Sequence, residues 1–245
     1  MQKHVAWVTG GTGGIGAEIC RALATAGYQV VAGYSNKDKA TAWQAEQKAA
    51  GFDIAISYAN VADFDSVQQS YTEIIQQFGK VDVLVNNAGI TRDGVLKRMK
   101  KEQWRDVLST NLDSVFNTSQ ACFDAMLEQG YGRIINISSI NAEKGQFGQT
   151  NYSAAKAGIH GFTKAAAQEG ARKGVTVNTI SPGYIATDMI MKIDEKIREG
   201  IRAQIPVGRF GEPEDIARIV VFLADEKSGF ITGANISANG GQFMH

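Results

Sequence analysis

Proline is nearly absent from this chain: only Pro182, Pro206 and Pro213 occur among 245 residues, all of them late. No Pro/Ser-rich linker, charge run, low-complexity tract or solenoid-length repeat divides the sequence, so a single domain over residues 1–245 is expected. Cysteine is equally scarce. Cys20 and Cys122 fall in apolar predicted helices, where small buried thiols are expected rather than a disulfide, and that usage suits a reducing cytoplasm. Net charge is also lacking, because 25 basic side chains balance 25 acidic ones. No overall field draws the protein to nucleic acid or to an anionic membrane, and neither is an expected partner. No apolar run approaches membrane-spanning length, and the first residues enter a strand without the basic and apolar regions of a signal peptide. Secretion and membrane insertion are therefore not expected, and no metal-ligand set is read from the chain.

Glycine and alternation are what the chain has in quantity: 27 glycines and 44% apolar residues support a large core with many tight turns. Apolar strands are predicted at 5–9, 29–33, 53–58, 81–86, 133–138, 176–181 and 234–237. Helices at about 15–26, 37–50, 67–78, 102–129, 152–172, 188–203 and 213–223 lie between them. Strands that are apolar throughout, rather than alternating, are buried on both faces. With helical crossovers they form a parallel, doubly wound α/β sheet of about seven strands with helices on both sides. Ligands of such sheets bind beyond the carboxyl ends of the strands, where strand order reverses. Gly10, Asn60, Asn86, Ser139 and Pro182 all sit at or just past a predicted strand end.

The run Thr9-Gly10-Gly-Thr12-Gly13-Gly14-Ile15-Gly16 joins the first strand to the first helix. Its glycines permit a tight turn and close approach to a pyrophosphate, which the helix N-terminus then faces with free N–H groups. The ending Gly-Lys-Ser/Thr is missing, which excludes a nucleotide triphosphatase loop. After the second strand, Tyr34-Ser35-Asn36-Lys37 contains no acidic residue for a ribose 2′-hydroxyl. Ser35, Asn36 and Lys37 could instead donate to a 2′-phosphate, which favours NADP(H) over NAD. Asn60 and Val61 are candidates for adenine, and Asn87, Ala88 and Gly89 for the adenosine side. Tyr152 and Lys156 stand one helical turn apart on one face, an ordinary pair until Ser139 arrives from the preceding strand.

In this order and spacing, residues 9–16 and 86–89, Asn111, Ser139, Tyr152, Lys156, Pro182, Gly183 and Thr187 resemble the short-chain dehydrogenase/reductase family over essentially the whole chain. The resemblance implies a Rossmann-type fold and carbonyl reduction with Tyr152 as proton donor and Ser139 polarising the carbonyl. Lys156 would lower the tyrosine pKa and hold the nicotinamide ribose, and Asn111 would hold a water leading to solvent. Pro182, Gly183, Ile185 and Thr187 would lie against the nicotinamide. Physically, hydride addition to a ketone builds negative charge on oxygen, which two hydroxyl donors answer.

Within the family, residues 145–152 and 89–93 are similar to reductases of 3-oxoacyl thioesters. That similarity implies acetoacetyl-CoA as substrate, an acyl-CoA thioester reduced to an (R)-3-hydroxyacyl product that supplies polyhydroxyalkanoate synthesis. Thioesters of an acyl-carrier protein stand close behind. Gln146, Phe147, Gln149 and Tyr184 are candidate pocket residues, with Asp93 and Arg98 in the charged stretch at the presumed mouth. A cytoplasmic homotetramer is implied by resemblance. An NAD-dependent small-alcohol dehydrogenase and a turnover-free cofactor sensor remain as alternatives; the complete Ser139, Tyr152, Lys156 and Asn111 set weighs against the sensor.

Overall fold

A computed structural model of the chain describes residues 3–191 and 194–244. Seven strands form one sheet: β1 (Val5–Val8), β2 (Gln29–Tyr34), β3 (Ile54–Tyr58), β4 (Val83–Asn86), β5 (Gly132–Ile137), β6 (Val175–Pro182) and β7 (Asn235–Ala238). Every pairing is parallel, and the order is β3-β2-β1-β4-β5-β6-β7. Strand order thus reverses between β1 and β4, which places the ligand crevice at their carboxyl ends.

The helices are α1 (Gly14–Thr25), α2 (Lys37–Ala49), α3 (Phe64–Phe78), α4 (Lys101–Leu108), α5 (Ser114–Gln129), α6 (Thr150–Gly170), α7 (Asp188–Met191), α8 (Glu195–Arg202) and α9 (Pro213–Ala224). The pleat sorts the core. Ala6 and Val8 face one side with Ile19, Leu23, Ile216 and Val220, while Val5 and Trp7 face the other with Val67, Ile74 and Met126. The predicted architecture is present. Two expected helices differ in detail. The long one over 102–129 contains a π-helical segment, Ser109–Asp113, between α4 and α5, and the one over 188–203 is two short helices, with residues 192 and 193 outside those described. No helix among the described residues is long and apolar enough to cross a membrane.

A buried polar chain fixes the helices on the centre of the sheet. Asn86, Asn136 and Thr179 are register neighbours on β4, β5 and β6. Thr118 Oγ1 donates to Asn86 Oδ1 at 2.6 Å, Asn86 Nδ2 to Asn136 Oδ1 at 2.8 Å, and Asn136 Nδ2 to Thr163 Oγ1 at 2.9 Å. Thr163 shares a 2.8 Å hydrogen bond with Thr179. Thr118 lies on α5 and Thr163 on α6, so one chain of bonds sets both helices against three strands. Replacing Asn136 by Leu takes a partner from the Asn86 amide and from the Thr163 hydroxyl in this interior, and should cost about 2–4 kcal/mol. Urea unfolding measures it, and a loss below ~0.5 kcal/mol would show the chain to be dispensable.

Candidate active site

The glycine loop is shaped by contacts rather than by flexibility. Gly10 and Gly14 have φ of +61° and +52°, a region side chains avoid. A Cβ on Gly16 would lie 2.2 Å from Gly10 O, so α1 can start only where it does with glycine there. Its cap, Gly13, offers no side-chain acceptor, and the Ala17 N–H bonds Gly13 O at 3.3 Å. The N–H groups of Gly14, Ile15 and Gly16 precede that bond and point out of the helix end. Asn87 holds the loop from β4: its Nδ2 donates to Thr9 O (3.0 Å) and Gly10 O (3.1 Å), and its N–H donates to Thr9 Oγ1 (3.0 Å). The Ala88 N–H adds a second bond to Thr9 Oγ1 at 3.1 Å.

A cleft of about 260 Å³ opens at the carboxyl ends of β4, β5 and β6. Ile15, Asn87, Gly89, Ser139, Gln149, Tyr152, Lys156, Pro182, Gly183, Tyr184, Ile185 and Thr187 line it, which brings together Ser139, Tyr152 and Lys156 with the residues expected at the nicotinamide. Ile137, Ser138, Ile140, Asn141, Thr91 and Ile190 line it as well and were not foreseen. None of these carried a signal of its own: even the buried Asn141, two residues past Ser139, sits in the 3-10 turn Ile140–Ala142, where an asparagine reads as an ordinary loop residue.

Ser139 and Tyr152 both line the cleft, with the serine hydroxyl near enough to act on the phenol. Burial pushes the Tyr152 pKa up, the Ser139 hydroxyl pulls it partly back, and the Asp93 carboxylate raises it again. This differs from the expected lowering by Lys156. The Lys156 ammonium stands 5.7 Å from the Tyr152 ring centre and donates to Ile137 O at 2.8 Å, so in this structure desolvation governs the phenol. Lys156 is itself buried, which lowers its pKa to about 8.

Asn111 lies in the π-helical segment, a distortion common at functional sites. Its side chain grips one peptide group: Oδ1 accepts from the Ile90 N–H at 2.8 Å and Nδ2 donates to Ile90 O at 2.9 Å. The expected water-holding side chain is therefore engaged in fixing the loop after β4. A Cβ on Gly89 would come 3.4 Å from Asn111 Oδ1 and 3.6 Å from Lys156 Nζ, so strand end, π segment and lysine meet at one point. Asn151, missed in the sequence, ties the start of α6 down by donating to Arg92 O (3.0 Å) and Gln103 O (3.1 Å).

The substrate candidates divide. Gln149 and Tyr184 both line the cleft with Tyr152. Gln149 Nε2 donates to both oxygens of Asp93 (3.0 and 2.9 Å), while its Oε1 accepts from Asn141 Nδ2 (2.9 Å). Asp93 thus touches the site through Gln149 and its charge. Gln146 and Phe147 are not in the wall, and Phe147 is 87% exposed, because Gly145 and Gly148, both at positive φ, turn this loop outward. Arg98 is exposed on a single 3-10 turn, Leu96–Arg98.

Tyr34, Ser35, Lys37, Asn60 and Val61 lie at the ends of β2 and β3, two and three strands from β4 at the near side of the cleft. Asn60 Oδ1 accepts from the Ala62 N–H at 3.3 Å and Val61 O accepts from Asn117 at 3.0 Å, so part of their polar capacity is spent locally. The Asn36 side chain caps α2 through the Lys39 N–H, leaving Ser35 and Lys37 exposed beside it. Among the described residues no cluster of His, Cys, Asp or Glu could hold a metal, and Cys20 and Cys122 are free, buried thiols.

Residues 4–198 match the family described as short chain dehydrogenase. The chain is 54% identical over 245 residues, the full length of both, to an acetoacetyl-CoA reductase of Cupriavidus necator. It is 53% identical over 244 residues, 99% of each, to an acetoacetyl-CoA reductase of Allochromatium vinosum. A 3-oxoacyl-[acyl-carrier-protein] reductase of Staphylococcus aureus is 49% identical over 240 residues, 98% of each.

The buried lysine has a consequence for stability. An unfolded lysine titrates near 10.4, whereas Lys156 titrates at about 8. Between those values the unfolded chain binds the extra proton, so the burial cost is fully present below about pH 8 and is relieved as pH rises. The relief should approach roughly 3 kcal/mol. Urea unfolding at pH 7.5 and 9.5 should show over half of this rise, about 2 kcal/mol, in the native chain and its loss in Lys156→Met; parallel pH dependence in the two proteins would refute it.

Proposed function

The chain belongs to the short-chain dehydrogenase family, and on that premise we propose that it reduces acetoacetyl-CoA to (R)-3-hydroxybutyryl-CoA with NADPH. The observation that carries the reading is the Ser139 and Tyr152 hydroxyl pair, in one cleft with the buried Lys156 and with Ile15 at the start of α1.

The residues fit a nicotinamide dinucleotide. The uncapped start of α1 and the side-chain-free surface at Gly13, where a Cβ would meet nothing within 4 Å, suit a pyrophosphate. Ser35 and Lys37 would meet a 2′-phosphate, Asn60 and Val61 the adenine, and Pro182, Gly183, Ile185 and Thr187 the nicotinamide. When bound, the reduced nicotinamide supplies a hydride to the substrate carbonyl carbon.

Ser139 and Tyr152 would donate hydrogen bonds to the carbonyl oxygen, where charge develops, and Tyr152 would release its Oη proton to it. A raised phenol pKa suits this direction, since it keeps the proton on Tyr152 at neutral pH. Lys156, charged below about pH 8, would offset the negative charge left on Tyr152 and hold the nicotinamide ribose. Asn111 would keep the Ile90 peptide, and with it the Gly89 side of the cleft, in place.

Thioester choice rests on the relatives and on the mouth. Lys97, Arg98, Lys100 and Lys101 are exposed next to the loop that carries Asp93, a local positive surface for the phosphates of coenzyme A. The same surface, with the Staphylococcus aureus relative, favours a carrier-protein thioester as the second reading. The product would feed polyhydroxyalkanoate synthesis in the cytoplasm. A homotetramer is proposed through α5 and α6, where half-exposed Phe116 borders a groove shared with Phe123 and Phe162.

Mixed with acetoacetyl-CoA, the protein should consume NADPH absorbance faster than with the carrier-protein thioester; no consumption with either would sink the assignment. Tyr152→Phe should leave the NADPH dissociation constant within about twofold and lower kcat by ~10³. Lys37→Ala should raise the KM for NADPH about fivefold to tenfold, the size of a lost charge-assisted contact, while NADH kinetics stay unchanged. Equal effects on both cofactors would remove Lys37 from the 2′-phosphate role.

A further inference from the structure

Behind the cleft, away from the glycine loop, a second set of polar groups runs from β7 to the turn of α6 that carries Lys156. Glu143, just past the 3-10 turn Ile140–Ala142, receives hydrogen bonds at Oε1 from Asn235 Nδ2 and from Ser237 Oγ (2.9 Å). Asn235 Oδ1 accepts from Ser181 Oγ at 2.8 Å. His160 Nε2 lies 3.3 Å from Ser181 Oγ and 2.9 Å from Ser138 Oγ. Ser138 Oγ donates to Lys156 O at 3.0 Å. Ser138 and Ser181 are buried, so each proton here must be assigned to a partner.

Counting donors fixes the direction. Glu143 Oε1 is the shared acceptor of Asn235 and Ser237, so Asn235 turns its amide nitrogen to Glu143 and its oxygen to Ser181. Ser181 then spends its single proton on Asn235. Ser138 spends its proton on the Lys156 carbonyl, which also only accepts. Both serine oxygens therefore present lone pairs to His160, and Nε2 must carry the hydrogen that they share. The tautomer of a histidine is set by the bonds its ring nitrogens make, and here Glu143 sets it through two intermediaries.

We infer that His160 is a positioning residue of the reductase site, held in its Nε2–H form by the Glu143–Asn235–Ser181 chain so that Ser138 is locked to the Lys156 turn. Two bonds then join the end of β5 to α6: Ser138 Oγ to Lys156 O, and Lys156 Nζ to Ile137 O at 2.8 Å. Ser139 is the next residue on the strand end, and Tyr152 is one turn before Lys156 on the helix. The spacing of the two hydroxyl donors therefore depends on a histidine that lines no part of the cleft. Reacting groups misplaced by a fraction of an ångström lose rate rather than binding.

The inference rests on the reductase reading for its kinetic part and is independent of it for its chemical part. Three histidines per chain make 15N NMR of histidine-labelled protein readable, with His160→Leu assigning the signal. The expected result is hydrogen on His160 Nε2; a neutral ring with hydrogen on Nδ1 alone would overturn the inference. In the acetoacetyl-CoA assay, His160→Leu should lower kcat about tenfold with KM within twofold. His160→Gln, which returns an N–H near the Nε2 position, should recover at least a third of the native rate. A folded His160→Leu with native kcat, or a glutamine variant no better than leucine, overturns the positioning role. A native protein inactive on acetoacetyl-CoA overturns the substrate assignment instead, and the ring tautomer then decides the network alone.

Discussion

Lys156 carries a charge into the interior at the end of β5, and much of the surrounding structure is the set of contacts that lets it remain there. A buried ammonium is costly unless its donors find acceptors. Its Nζ meets Ile137 O, a carbonyl at the last residue of β5. The same turn of α6 is held again through Ser138, and α6 as a whole is fixed on the sheet by Thr163. Burial lowers the lysine pKa to about 8, which leaves the side chain both charged at neutral pH and able to lose a proton within a unit or so of it.

Two kinds of polar construction hold α6, the helix that carries this lysine. The chain through Thr118, Asn86, Asn136, Thr163 and Thr179 contains no ionisable group and lies at the middle of the sheet. It sets helices against strands. The chain through Glu143, Asn235, Ser181, His160 and Ser138 begins at a carboxylate and ends at the lysine turn. It sets the end of one strand against one turn of helix. On the other side of the cleft, Asn87 and Asn111 use side-chain amides to pin backbone, the first at the glycine loop and the second at Ile90. Amides suit that work because each offers a donor and an acceptor without charge.

Much of this was legible before any fold was seen. Apolar strands in strict alternation with helices leave a parallel sheet covered on both faces as the economical solution, and the strand-end positions of Gly10, Asn86, Ser139 and Pro182 follow from it. The Tyr152 and Lys156 pair follows from the helical repeat. The substrate side was less legible. Phe147 next to Tyr152 reads as a pocket residue, yet two glycines at positive φ swing it into solvent, and Arg98 stands out on a 3-10 turn. Asn141 and Asn151 were invisible as site residues because an asparagine in a loop or a first helical turn has an ordinary local explanation.

The residue order by itself determined the sheet class, the phosphate-binding turn and the identity of the hydroxyl, phenol and ammonium groups, because these depend on periodicity and on backbone freedom at single positions. Only the tertiary structure decided their chemistry. Whether Lys156 lowers the Tyr152 pKa or burial raises it depends on distance and desolvation, and neither is encoded in a spacing of four. Likewise, His160 is one more helical residue in the sequence. It acquires a defined proton only where β5, β6 and β7 bring two serines, an asparagine and a glutamate into one line of hydrogen bonds.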